Sequence, residues 1–449
     1  MDVLNQWVTY ILGFKPFVLL PIILFLFSLA FHISFSKAVK ASLTIGIGFI
    51  GIFLIFGYFV EAIGPAVQAL ISRTGLHFTV LDVGWTPLAA ITWGYPLAPL
   101  LIIVVMVVNF IMLALKMTKT VNIDIWNYWH FIFTAALVYE TTGSMFLSVA
   151  AAIITCIIIL KLADWSAAAV KRFSGLSGIS ISTLSGIVYY PLGILGDTLI
   201  SKTPVLKNMD ANPESIKKRL GILGEPIVVG FLIGIALGLG AGYDVKRLLE
   251  LAFQIAAVIF ILPMMSGILG QGLMPISEGM KHFIKKKFPD MGETYIGLDL
   301  AVLVGDTSVV VTGLLLMPIA LIAAFLLPGV KFIPLGDLAN IIGAVAVVVV
   351  AVRGNVIRAL LVFLPILIGK LYVASTLAQL YTDLAQKTNF KINGYEGVIT
   401  SFLDGGNLFK FWILRLFQGH WGAFLFLPVA IFLIYFTVRH SAKDAKDPL

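Results

Sequence analysis

The chain has 449 residues, of which 59% are hydrophobic and only 12% charged, with a net charge of +8 and a mean hydropathy of +1.02. Soluble domains carry about 25% charged residues, so the composition excludes a soluble enzyme or nucleic-acid-binding module. Repeated apolar runs of about 20 residues point instead to a polytopic α-helical membrane protein, without the short alternating segments of a transmembrane barrel.

In chain order, "FKPFVLLPIILFLFSLAFHI" opens the series. It is too long for a signal-peptide core and lacks a small-residue cleavage pattern, so it is expected to be a true span. The expected spans are 14–34, 41–63, 97–116, 129–143 with 145–162, 179–196, 226–243, 248–269, 300–327, 338–352, 355–378 and 411–438. Segments 80–96 and 290–308 are hydrophobic but interrupted by Pro, Gly and Asp, and are expected to be re-entrant or discontinuous. Polar stretches run from Asp197 to about Gly224 and over 379–408. Cys156 sits in "AAIITCIIIL" and reads as packing. "GIALGLGAG" (234–242) lies inside a span and reads as helix packing, not phosphate binding.

Basic residues fix the expected orientation. The first ten residues have no Lys or Arg, whereas the central stretch holds Lys202, Lys207, Lys217, Lys218 and Arg219, and the tail holds Arg439, Lys443 and Lys446. The N-terminus is therefore expected outside, with the central loop and C-terminus in the cytoplasm. Internal similarity points the same way. Pro16 matches Pro226, Pro65 matches Pro275, Asp82 matches Asp299, Asp124 matches Asp337, and Gly143 matches Gly354, in order and at offsets of 210 to 217. A unit with an odd number of spans inserts upside down when duplicated, so two inverted repeats of five spans plus one C-terminal helix are expected, about 11 in all. The expected division is a first repeat over 10–196, a cytoplasmic linker over 197–223, a second repeat over 224–378, an extracytoplasmic loop over 379–408, and a last helix with its tail over 409–449.

Charges at membrane depth are costly and usually functional. The candidates are Asp82 and Asp299 in the broken segments, Asp306 with Thr307 and Ser308, His130 and Glu140, and Ser182 with Thr183 and Ser185. Asp82 and Asp299 suit either a helix N-terminus or a substrate hydroxyl. Asp124 and Asp337, at span entrances, read as caps or interface charges. Carboxylates and hydroxyls, with the rings of Trp85 and Trp93 to cover C–H faces, suit a neutral polyol or sugar. Lys and Arg fall mainly in loops, so no basic cage for an anion is expected. No phosphate loop, metal-ligand spacing or nucleophile elbow is present, so neither metal nor cofactor is called for.

Several motifs carry a family resemblance. They are "IGIGFIG" (45–51), "AIGPA" (62–66), "VLDVGW" (80–85), "VNIDIWNYWHF" (121–131), "GEPIVVGF" (224–231), "AGYDVK" (241–246), "IGLDLAVLVGDTSVV" (296–310) and "PLGDLAN" (334–340). Together they resemble the galactitol-type membrane component C of the phosphotransferase system, in the ascorbate–galactitol superfamily, from about residue 10 to 440. The resemblance implies a bacterial inner-membrane permease that binds lipid on its outer surface and forms a homodimer. It would carry a polyol across by an elevator-like movement, for phosphorylation by a phosphocysteine of component B, which component A supplies. The membrane chain itself lends no phosphorylated residue. Carried over by motif, the resemblance points to Asp82, Gly84, Trp85, His130, Asp299, Asp306, Thr307 and Ser308, with Glu140 beside them. It also implies histidines where this chain has Ser182–Thr183 and Asp306, which bears on the identity of the sugar. From the residues alone, an ion-coupled secondary transporter for a neutral hydroxylated solute remains the alternative.

Overall fold

The computed structural model describes residues 16–74, 78–204, 225–287, 293–390 and 397–444, with the isolated residues 10, 14, 211 and 222. Most of the 197–223 stretch, residues 391–396, and Lys207, Lys217, Lys218, Arg219 and Lys446 lie outside them.

The chain is mainly helical. Helices α1 (Pro16–Ala30) and α2 (Phe35–Thr74) lead to strand β1 (Val80–Asp82), then α3 (Trp85–Trp93) and α4 (Ala98–Ala114). Strand β2 (Thr120–Asn122) and a 3-10 turn, Ile125–Tyr128, precede α5 (Trp129–Thr142) and α6 (Met145–Ser174); β3 (Ile179–Ile181) precedes α7 (Leu184–Ile187) and α8 (Tyr190–Lys202). After the linker come α9 (Pro226–Ala241), α10 (Val245–Lys287), β4 (Tyr295–Leu298), α11 (Thr307–Leu326), α12 (Ile341–Ala351) and α13 (Val356–Lys387). Strand β5 (Val398–Thr400), α14 (Leu408–Phe417), α15 (Trp421–Leu425) and α16 (Leu427–Asp444) close the chain.

Seven of the described helical stretches are long and apolar enough to cross a membrane. The pair α3 and α4, bent by 96° at its break, makes an eighth if taken as one span. The break falls in the segment the sequence marks as discontinuous.

Helices α2 and α10, of 40 and 43 residues, are about 60 Å long at 1.5 Å per residue. That is twice the hydrocarbon thickness, so they run obliquely or project beyond it. They lie against each other, brought close by glycine. A Cβ on Gly48 would stand 2.8 Å from the Leu269 backbone nitrogen, and one on Gly272 would stand 2.9 Å from the Ala41 carbonyl. Without a hydrophobic drive between helices in lipid, such close approach supplies the packing energy. Gly48→Leu is expected to cost about 1–3 kcal/mol by overpacking. It would be read as a lowered thermal midpoint in detergent; an unchanged midpoint would show that the crossing has slack. The glycine-rich stretch of α9 works likewise. Gly234 would place a Cβ 2.4 Å from Ala252 Cα on α10. Cys156 is buried in α6.

The strands are the main departure from an all-helical expectation. β1 pairs in parallel with β5, and β4 lies between β2 and β3, parallel to both. Strands of three or four residues are too short to register by periodicity. They arise because a broken helix exposes backbone polar groups that lipid cannot satisfy. Backbone and side chains complete part of the remaining edges: the Val80 N–H of β1 donates to the Lys331 carbonyl at 3.2 Å. Asn109 of α4 brackets β2, donating to the Thr120 carbonyl at 2.9 Å and accepting from the Asn122 N–H at 2.9 Å. Thr382 of α13 accepts from the Ile399 N–H at 2.9 Å.

Two expected boundaries shift. The expected 379–408 loop is not a surface loop where it is described. Residues 379–387 continue α13, and residues 399–407 are buried. The expected span over 411–438 is divided, with α14 distinct from the candidate crossing Trp421–Ala442.

Candidate functional site

The broken segments meet around a cavity of about 430 Å³. One wall is apolar, formed by Leu20 of α1 with Phe49 and Ile52 of α2. The rest of the lining mixes Leu300, Ala301, Val304, Ala344 and Leu403 with polar and aromatic residues. These are Trp85 and Thr86 at the start of α3, Asp124 and Asn127 before α5, and Trp129 and His130 within it. Thr183 stands at the N-cap of α7 and Ser185 lies within it, Asp299 follows β4, Asn340 precedes α12, and Asp404 lies after β5.

On the Asp299 side, an amide joins two acids. Asn127 Nδ2 donates to Asp124 Oδ2 at 2.6 Å and to Asp299 Oδ2 at 2.5 Å. Asp299 Oδ2 also accepts from the Thr183 hydroxyl at 3.3 Å, and its Oδ1 accepts from the Ala301 N–H at 2.7 Å, fixing the turn after β4. Thr183 Oγ1 takes the Leu300 N–H at 3.2 Å, while Ser182 points away from the cavity wall and donates to Asn122 Oδ1 at 3.0 Å.

On the other side, Asp82 and Asp337 tie their two segments together. Asp82 accepts the N–H groups of Gly84, Phe402 and Asp337 at 3.2, 3.0 and 3.3 Å. Asp337 accepts the N–H of Trp85 at 2.8 Å, the N–H of Leu403 at 3.1 Å and the hydroxyl of Ser401 at 2.8 Å. A carboxylate has about four lone-pair positions, so both acids spend most of theirs holding the start of α3 and the 401–403 backbone. Neither lines the cavity; they aim Trp85 and Thr86, which do.

The 401–407 stretch, "SFLDGGN", is the part that sequence reasoning missed. It is buried throughout because other elements satisfy it. Lys370 of α13 donates to the Leu403 carbonyl at 2.8 Å, and Tyr381 donates to the Gly405 carbonyl at 2.5 Å. Asp404 faces Lys410 of α14, with 3.4 Å between Nζ and Oδ1. Lys410 Nζ also lies 3.1 Å from His130 Nδ1. Since an ammonium only donates, Nδ1 is the acceptor and the imidazole keeps its proton on Nε2. Lys410 stands over the rings of Trp129 and Phe133, at 4.7 and 5.0 Å.

Two fully buried lysines thus stand beside the site, where the sequence suggested that cations keep to loops. Lys370 lies in the apolar run "FLPILIGKLYVAS", and an ionisable residue inside such a run is the signal that could have found it.

The structure brings Trp85, His130, Thr183 and Asp299 to the cavity. It sets Asp82 and Gly84 directly behind it, and Ser182 two hydrogen bonds away, through Asn122 to the Asp124 N–H. Asp306, Thr307 and Ser308 do not line it. Asp306 caps α11, accepting the Ser308 and Val309 N–H groups at 2.7 and 3.4 Å. Glu140 is also elsewhere. It pairs with Lys387 and accepts the Tyr95 hydroxyl at 2.7 Å, tying α5 to the end of α13 and to the bend between α3 and α4.

A family model described as EIIC-GAT, PTS system sugar-specific permease component, matches residues 10–394. A "Putative permease IIC component" of Escherichia coli K12 is 37% identical over 407 residues, covering 91% of this chain and 93% of that protein. A "PTS system galactitol-specific EIIC component" of the same strain is 36% identical over 414 residues, covering 92% of this chain and 91% of its own length.

Proposed function

Because the chain belongs to the family of PTS sugar-specific permease components, we propose that its cavity binds a polyol of the galactitol kind and carries it across the membrane. Component B then phosphorylates the solute from a phosphocysteine recharged by component A. The observation that carries this reading is the lining. Asp124, Asp299, Asp404, Asn127, Asn340 and Thr183 offer acceptors and donors, and Trp85 and Trp129 offer ring faces. A chain of vicinal hydroxyls with apolar C–H faces matches that alternation, and a relative of similar length is named for galactitol.

Movement of the rest of the lining against the apolar α1–α2 face would expose the cavity to either side, the elevator motion expected from the resemblance. Inverted repeats are supported by the order of elements. Each half runs from a short helix to a very long one, then to a short strand with an acid at or just after its end: Asp82 closes β1 and Asp299 follows β4. β4 of the second half pairs with β2 and β3 of the first, and β1 pairs with β5, which follows the second half. A homodimer, an external N-terminus and a cytoplasmic C-terminus complete the proposal.

The test has two arms. In proteoliposomes, sugar phosphate should form only when component B and the phosphocarrier are supplied; uptake of unmodified polyol driven by an ion gradient alone would favour the secondary-transporter alternative. In a thermal-shift titration over alditols, Asp299→Asn should weaken binding at least ~10-fold, since a hydrogen bond to a charged group contributes about 1.5–3 kcal/mol. Undiminished affinity would remove Asp299 from the site.

A further inference from the structure

We propose that Lys410 sets the polarity of His130, holding its imidazole with the proton on Nε2 so that a hydrogen-bond donor is offered to the solute. This rests on the polyol reading above. Lys410 does not line the cavity, whereas His130 does. It is therefore a positioning residue, acting through the imidazole.

Lys410 sits in the first turn of α14, where Asn407 Oδ1 accepts the Phe409 and Lys410 N–H groups, both at 3.1 Å. A cation there meets the positive end of the helix dipole, and this one is fully buried. Its place is thus set by what Nζ contacts. Nζ lies 3.1 Å from His130 Nδ1 and 3.4 Å from Asp404 Oδ1, and that carboxylate oxygen lies 3.5 Å from Nδ1. The ammonium decides the outcome within this triangle. Beside a group that only donates, Nδ1 accepts and Nε2 carries the hydrogen. Without the ammonium, Nδ1–H would turn to Asp404, and Nε2 would become an acceptor. Trp129 packs against the imidazole, with 4.0 Å between ring centres, so the ring itself stays in place.

A donor here complements the rest of the lining. Asn127 Nδ2 is already committed to Asp124 and Asp299, and the Thr183 hydroxyl to Asp299. Among the described residues His130 Nε2 has no hydrogen-bond partner. The carboxylates take hydrogens from solute hydroxyls, and Nε2–H supplies one to a hydroxyl oxygen.

The experiment is nitrogen NMR of the full chain in lipid nanodiscs, isotope-labelled at histidine, with titrations of galactitol and its monodeoxy derivatives beside it. The chain has 6 histidines, so His130 is assigned by the signals lost in His130→Gln. In the unaltered chain His130 should be the neutral Nε2–H form, and Lys410→Met should convert it to Nδ1–H. Galactitol should bind Lys410→Met at least ~10-fold more weakly than it binds the unaltered chain. One monodeoxy derivative, lacking the hydroxyl that Nε2–H serves, should bind the unaltered chain at least ~10-fold more weakly than galactitol does. In Lys410→Met that same derivative and galactitol should bind within ~3-fold of each other. Three results would overturn the inference: an Nδ1–H ring or an imidazolium in the unaltered chain, an unchanged tautomer in Lys410→Met, or the same deoxy penalties in both chains. The first needs no variant, so the test holds even where Lys410→Met folds poorly. Failure of the unaltered chain to bind any alditol would overturn the polyol reading itself, and this inference with it; an Nδ1–H ring in a chain that binds galactitol would overturn this inference alone.

Discussion

Replacing Gly336 with alanine is expected to leave little folded protein. A Cβ there would stand 2.4 Å from the Gly84 nitrogen, 2.5 Å from the Asp82 carbonyl oxygen and 2.7 Å from the Val83 carbonyl carbon. All three are backbone atoms, so no rotamer change makes room. Gly84 faces it with φ 76° and ψ 179°, a region open essentially to glycine alone. Its own Cβ would meet the Gly336 carbonyl oxygen at 2.5 Å. The two backbones cross in contact so that Asp82 can take the Asp337 N–H and Asp337 the Trp85 N–H. Separating them costs about 1–3 kcal/mol in overpacking and weakens charge-assisted hydrogen bonds of about 1.5–3 kcal/mol each. Together these approach the whole stability of a typical domain, about 5–15 kcal/mol. Size-exclusion chromatography of detergent extracts should show loss of the monodisperse peak. A Gly336→Ala chain with a normal peak and thermal midpoint would mean that the crossing can open without harm.

That crossing shows what a linear reading could and could not see. Asp337, at a span entrance, suggests a cap, and it does accept a helix-start N–H. The helix is α3, however, 252 residues earlier in the chain. A cap on a distant element leaves no local spacing to read. The long apolar helices were legible because hydropathy is a local sum. Asp82 and Asp299 stood out because an acid in a broken apolar segment is conspicuous wherever it folds. "SFLDGGN" was not legible for the opposite reason. Its Gly-Gly, Asp and Asn are turn chemistry, and nothing nearby in sequence announces that Asp82, Asp337, Lys370 and Tyr381 will satisfy its backbone. Asp306 is the reverse case. Its neighbours suggested a binding cluster, but its carboxylate closes the first turn of α11 and its side chain stands apart from the cavity.

Lys410→Met is the other substitution expected to have a large effect, and a second change should partly reverse it. Lys410 is 1% exposed and Asp404 6% exposed, so their charges are removed from bulk water together. Taking away one partner of a buried pair strands the other and costs about 3–5 kcal/mol. Here it would also leave His130 Nδ1 without the donor at 3.1 Å. Methionine keeps most of the side-chain volume against Trp129 and Phe133, so lost packing is a small part of the effect. Asp404→Asn in the same chain removes the stranded charge. The double variant should therefore unfold at a higher temperature than Lys410→Met alone, although it has one more substitution. If the two unfold together, Lys410 stabilises the site through its contacts with the rings rather than through the carboxylate, and Asp404 would stand at the cavity wall without that counter-charge. The order of the two midpoints in one thermal-unfolding series decides between these accounts.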